Sequence, residues 1–213
     1  DLRGHGLSDK PEAPEQYGVQ MVEDIVRTMD HLDIPRAHVA GYSLGGFLAL
    51  KAVAMHPDRF ISAAICASGW KNPEDPSPIP NPYRPSETAD TERIQEASVF
   101  AIAAPKPLFN RIRSRIGDRI ISQPVRKALK AGYPELAVER SFLERNPVPM
   151  FNIIGARDGF LPLAHDLVEV TANLEAHEVP GASHFSLPFK KVFRTQLHRF
   201  FLEHDKVTET KNP

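Results

Sequence analysis

The sequence predicts an α/β fold, a parallel sheet flanked by helices with a helical insertion, and three observations predict it. Short apolar runs alternate with stretches of helical period. One such run feeds directly into Gly41-Tyr42-Ser43-Leu44-Gly45-Gly46, and an apolar helix follows. A proline-rich segment with helical patterning of its own interrupts the alternation midway. Alternating strands and helices favour a parallel sheet covered on both faces.

Along the chain, Val22, Ile25, Val26, Met29 and Leu32 recur at helical spacing within Val19–Leu32, which predicts a helix packed on one face. Arg36–Ala40 is a short strand. Phe47–Met55 is apolar almost all round, as in a helix buried on more than one side, and Pro57 follows its end. Ile61–Ala67, Val148–Ile154 and Leu174–Val179 read as buried strands, with a helix at Leu163–Ala172 between the last two. Phe189, Val192, Phe193, Leu197 and Phe200 mark a final amphipathic helix. No segment before Arg36 reads as a buried strand.

Between Trp70 and Pro147 the pattern changes. Pro73, Pro76, Pro78, Pro80, Pro82 and Pro85 exclude regular structure at first, and helical stretches follow near 91–103, 108–121 and 125–130. The division expected is therefore a core of residues 1–70 and 148–204, a cap of 71–147 over the sheet's C-terminal edge, and a frayed polar tail of 205–213. Arg111, Arg113, Arg115, Arg119, Arg126 and Lys127 read as solvated helix faces, with an acidic substrate as the alternative.

Composition narrows the partners. The 213 residues, 41% hydrophobic and 25% charged, suit one substantial core. A net charge of -1 gives no electrostatic case for nucleic acid or a membrane surface. No apolar run reaches the roughly 18 residues of a membrane span. Lone Cys66 reads as a small core residue and requires no oxidising compartment, so a cytoplasmic location is expected.

A Gly-x-Ser-x-Gly match alone is weak; a preceding strand and a following helix make Gly41–Gly45 strong. The serine then sits at the apex of a sharp turn. Glycines at 41 and 45 are expected because side chains there would collide. The N–H of Leu44, opening the helix, can bind a developing oxyanion. A serine hydroxyl needs a base. Of nine histidines, His31, His165, His198 and His204 fall on expected helices, His38 and His177 on strands, and His56 at a helix end. His184 alone directly follows a strand, in Gly181-Ala182-Ser183-His184-Phe185, on the sheet edge that carries Ser43. Asp158, in the loop Gly155-Ala156-Arg157-Asp158-Gly159 on that same edge, is the orienter expected for the histidine. Ser68-Gly69-Trp70, after Ala67, offers no competing carboxylate. No metal site is expected.

The order Ser43, Asp158, His184, each after its own strand, resembles the α/β-hydrolase superfamily. The opening Asp1-Leu2-Arg3-Gly4-His5-Gly6-Leu7-Ser8 is similar to the loop after that family's fourth strand, and His56-Pro57-Asp58-Arg59-Phe60 also matches its layout. The resemblance covers residues 1 to about 204 and is weakest in the cap. It implies a serine hydrolase acting most often on carboxylic esters, without a cofactor. It also implies four strands and a His-Gly-type oxyanion loop upstream of Asp1. On that basis the chain is expected to be a fragment, with an open edge at Arg36–Ala40 and only the Leu44 N–H at the oxyanion position. His5 belongs to the later loop and is assigned a structural role.

Two functional classes remain at this point. One is a serine hydrolase of a small-molecule substrate, with amide, peptide, C–C and perhydrolytic chemistry open to the same triad. The other is a non-catalytic protein of this fold that binds a small molecule beneath the cap. The sequence names neither the substrate nor the oligomeric state.

Overall fold

A computed structural model of the protein describes residues 1–84 and 122–209, with side chains to Asp205. The helices expected at 91–103 and 108–121 lie outside those residues. Among the described residues four parallel strands form one sheet in the order β1 (Ala37–Tyr42), β2 (Phe60–Cys66), β3 (Met150–Gly155) and β4 (Leu174–Val179). Pairing of Tyr42 with Cys66 carries β1 two residues past the expected end, so Gly41 and Tyr42, ahead of the turning Ser43, are strand. Helix α1 spans Val19–His31, and α2, Leu44–Met55, starts as soon as Ser43 has turned the chain. Gly45 and Gly46 in its first turn hid that start from a reading by hydrophobic period.

Burial separates the strands. β2 and β3 are buried almost throughout. The expectation of a buried β4 is corrected: it is an edge strand, and Glu175, Ala176 and Glu178 face solvent. β1 is the other edge, half-buried with Ala40 exposed, and no described strand pairs with its outer side. Strand alternation sends Phe151 and Ile153 to one face of β3 and Ile154 to the other. The first face packs against α6 (Lys191–Glu209), with Phe200 stacked on Phe151 at 5.3 Å between ring centroids. Ile154 packs with Leu161, Leu163 and Ala164 of α5 (Leu161–Val170). Each large apolar side chain buried in this way contributes about 1.5–3 kcal/mol. Buried Asn152 of β3 donates through Nδ2 to the carbonyls of Ile65 (3.0 Å) and Ser68 (2.9 Å), fastening the end of β2.

Three smaller expectations are also corrected. Leu32 lies beyond the end of α1 and is 58% exposed. Phe189 closes a single 3₁₀ turn, Leu187–Phe189, ahead of α6 and is 85% exposed. The last helix continues to Glu209, into the stretch read as a frayed tail. A short helix α4, Arg140–Arg145, was not expected.

The chain divides into two units, Asp1–Met21 with Thr88–Glu135, and Val22–Glu87 with Leu136–Pro213. The second holds the sheet. In the first, Gly4 (φ +82°) and Gly6 (φ +50°) turn the opening loop, which closes by Gly4 N–H donating to Asp9 O (2.8 Å) and Leu7 N–H to Asp1 Oδ2 (2.8 Å). His5 Nδ1 lies 3.1 Å from Arg3 O. Helix α3, Gln123–Ala131, ends at Gly132, which packs against Gly18 so closely that a Cβ on Gly132 would stand 2.5 Å from Gly18 N.

Candidate active site

β1 ends at Tyr42 and α2 begins at Leu44, so Ser43 alone turns the chain. Its backbone is left-handed in φ, at +57° with ψ −117°, a strain of about 1–3 kcal/mol for a residue with a Cβ. The neighbouring backbone holds it there: Ser43 N–H donates to Cys66 O (2.9 Å) and Gly46 N–H to Ser43 O (2.9 Å). Gly41 is compulsory, because a Cβ would stand 1.8 Å from Gly45 O. The same expectation for Gly45 is corrected, since a Cβ there meets nothing within 4 Å. The close approach falls on Gly46 instead, whose Cβ would lie 2.5 Å from Ser68 Cβ. As first residue of α2, Leu44 has no carbonyl one turn back for its N–H, which leaves that group to an incoming anion.

Asp158 and His184 reach Ser43 from the loops after β3 and β4. The Asp158 side chain is fully buried. Its Oδ1 accepts from Phe160 N–H (2.9 Å), and its Oδ2 lies 2.8 Å from His184 Nδ1. The other ring nitrogen, Nε2, lies 3.0 Å from Ser43 Oγ. A carboxylate facing Nδ1 fixes the proton there, leaving Nε2 to accept from the serine hydroxyl. The two loops are tied by backbone: Ala156 N–H donates to Val179 O (3.0 Å) and Arg157 N–H to Ala182 O (2.9 Å). Gly155 permits that approach, since a Cβ would be 2.3 Å from Ala182 O. The arrangement can take a proton from a serine and return it to a leaving group.

Tyr42 was singled out only as part of the turn, yet its hydroxyl donates to the backbone carbonyl of His184. Burial, followed by the nearby Asp158 carboxylate, pushes the phenol well above its ordinary 10.0, so the hydroxyl keeps the proton it donates. Sequence reasoning missed the rings around the imidazole. Phe160 stands perpendicular to His184 at 5.5 Å between centroids and Tyr83 at 5.3 Å. Gly159 was the available signal. A Cβ there would lie 2.0 Å from Asn81 O, and the Gly159 N–H donates to Pro82 O (3.2 Å).

Several other histidines have structural partners. His38 bridges Ser62 Oγ (2.7 Å) and Asp205 Oδ1 (2.8 Å), and His56 pairs with Glu23 (2.9 Å). Among the described residues no cluster of three or more His, Cys, Asp or Glu could hold a metal, and no helix is long and apolar enough to cross a membrane.

Known proteins resemble the chain. The family model for the alpha/beta hydrolase fold matches residues 1–84. RutD of Caulobacter segnis is 37% identical over 75 residues, 35% of this chain, and the match spans only 28% of RutD. A pimeloyl-[acyl-carrier protein] methyl ester esterase of Chromobacterium violaceum is 27% identical over 197 residues, covering 86% of this chain and 74% of that protein. The solved structure of Est816, described as an N-acyl homoserine lactone degrading enzyme, superposes with a TM-score of 0.69 at 21% identity, over 94% of this chain and 80% of that one. With the parallel sheet and the strand-turn-helix at Ser43, these likenesses show that the chain has the α/β-hydrolase fold, and its first 84 residues match that family's model.

Proposed function

We propose that the protein is a serine hydrolase that cleaves a carboxylic ester of a small molecule, with Ser43 as nucleophile, His184 as general base and acid, and Asp158 as orienter. The observation that carries the proposal is the unbroken chain from Ser43 Oγ through His184 (3.0 Å and 2.8 Å) to a fully buried carboxylate. Both distances lie within reach for direct proton transfer.

In this mechanism Ser43 Oγ attacks the acyl carbon while its proton passes to His184 Nε2. Buried Asp158 stabilises the imidazolium that results. The carbonyl oxygen, now an oxyanion, sits against the Leu44 N–H and the positive end of α2; one such donor is worth about 10²–10³ in turnover. The C–O bond then breaks, the leaving oxygen takes the proton from Nε2, and a water activated by His184 releases the acyl group from Ser43. Side chains supply every proton transfer.

Ester cleavage is favoured over the other reactions of such a triad by the relative named as a methyl ester esterase, which is matched over most of this chain. Residues 71–147 are assigned to a cap, and Asn81–Arg84, packed on Gly159, are its entry. A cytoplasmic setting accords with the single, buried Cys66. The test is labelling by a fluorophosphonate together with turnover of a short p-nitrophenyl acyl ester. Label on Ser43 and loss of both signals in Ser43→Ala are expected. Turnover largely retained in Ser43→Ala would overturn the serine mechanism, and an inert Ser43 would favour a non-catalytic binding protein.

A further inference from the structure

Two aromatic side chains beside the proposed base stand open to solvent. Tyr83 is 58% exposed and Phe185 67% exposed, although large apolar surfaces are ordinarily withdrawn from water. Their rings stack on each other, 4.7 Å between centroids and 15° from parallel. Tyr83 also stands perpendicular to the His184 ring at 5.3 Å. This placement is built. The Tyr83 N–H donates to Asn81 Oδ1 (3.0 Å) and the Arg84 N–H to Asn81 O (3.1 Å), so a tight turn presents Tyr83. That turn rests on Gly159, where no side chain fits and whose N–H donates to Pro82 O. Phe185 is the immediate neighbour of His184 in sequence. Neither ring touches Asp158 or Ser43 through any hydrogen bond, so the proton relay gives no reason for them.

The chemistry says which part of a substrate lies there. When the tetrahedral adduct collapses, the C–O bond breaks with its electron pair on oxygen, and that oxygen takes the proton held on His184 Nε2. The acyl carbon stays on Ser43 Oγ. The departing oxygen must therefore lie beside His184, and its substituent beside whatever flanks that ring. We infer that Tyr83 and Phe185 form the leaving-group subsite, and that the alcohol this enzyme releases carries a flat aromatic ring. The inference rests on the serine-hydrolase reading. A planar ring laid on this pair extends an existing offset stack, whereas a saturated ring of equal size gains only contact area.

The test compares three esters of one acyl group, benzyl, cyclohexylmethyl and methyl butanoate, whose alcohols are of similar acidity. The expected order of kcat/KM is benzyl first, with about a fivefold to tenfold advantage over cyclohexylmethyl, the range of an aromatic contact. Tyr83→Leu and Phe185→Leu should each collapse that ratio towards one, and benzyl alcohol should inhibit the unaltered enzyme at concentrations where methanol does not. Both side chains are mostly exposed, so an unchanged melting temperature checks that the variants fold. A ratio near one in the unaltered enzyme, or a ratio that survives both substitutions, overturns the subsite while fluorophosphonate labelling of Ser43 still stands. Failure of that labelling overturns the subsite and the serine-hydrolase reading together.

Discussion

Asp158→Asn separates the orienting role from mere packing. The carboxylate has two partners, Phe160 N–H on Oδ1 and His184 Nδ1 on Oδ2. An asparagine keeps the first by leaving its oxygen where Oδ1 was. Its NH₂ then faces Nδ1, which can be satisfied only if Nδ1 accepts and the ring proton moves to Nε2. That proton points at Ser43 Oγ, and the base is blocked. The lost electrostatic support can be sized separately. A carboxylate whose nearest oxygen is 2.8 Å from Nδ1, with charge centres about 3–4 Å apart and an effective dielectric of about 20, stabilises the imidazolium by about 4–6 kcal/mol. That corresponds to about 10³–10⁴ in rate, and a wrong tautomer carries a loss of similar size, about 10⁴. Asp158→Asn should therefore lower kcat on a p-nitrophenyl ester by about 10³–10⁴ with KM little changed. The melting temperature should hold, because the Phe160 hydrogen bond survives. A variant that keeps a tenth of the parent kcat would refute the orienting role.

Other outcomes follow from the same geometry. Gly41→Ala should lose about 1–3 kcal/mol or more to overpacking, whereas Gly45→Ala should hold or gain up to about 1 kcal/mol of helix propensity, both read from urea midpoints. Tyr42→Phe strips the donor from the His184 carbonyl and should lower stability by about 1–3 kcal/mol; near-normal KM with reduced kcat is the expected kinetic signature. Burial pushes the Cys66 thiol from 9.0 up to about 12, so folding favours its protonated form. Its contribution is intact below about pH 9 and declines as pH rises towards 12, and thiol reagents near pH 8 should label it only as fast as the chain unfolds. Immediate stoichiometric labelling of the native protein would contradict that.

The parts legible in the sequence were those decided locally. A strand, a Gly-flanked serine and an apolar helix are adjacent in the chain, and so are β3 with Asp158 and β4 with His184. What escaped was settled between distant segments. Leu174–Val179 has the length and β-branched ending of a core strand, yet nothing in it says that one edge will stay open. Gly45 and Gly46 look equivalent in sequence; only the packing of α2 against Ser68 shows that Gly46 is the constrained one. Tyr83 sits in a proline-rich stretch with no periodicity to read, and its place over His184 depends on a contact with Gly159.

The site is positioned mainly by backbone, and that explains how so few residues specify it. In a parallel sheet every strand delivers its following loop to one edge. Register pairs Tyr42 with Cys66 and Gly155 with Val179, so β1 and β2 end level with each other, and β3 and β4 end level two residues beyond Ile153, the partner of Cys66. The loop after β3 is then tied to the loop after β4 by two backbone hydrogen bonds and by the absence of a side chain on Gly155. The loop after β4 is tied back to β1 by the Tyr42 hydroxyl on the His184 carbonyl. The circuit closes at Ser43, whose N–H is held by Cys66 O at the end of β2. Most of these ties involve main-chain groups, which any residue supplies. Side-chain identity is demanded at Ser43, His184 and Asp158, at Tyr42, and at glycines where two backbones meet. On this same edge Tyr83 and Phe185 present rings that the proton relay does not require.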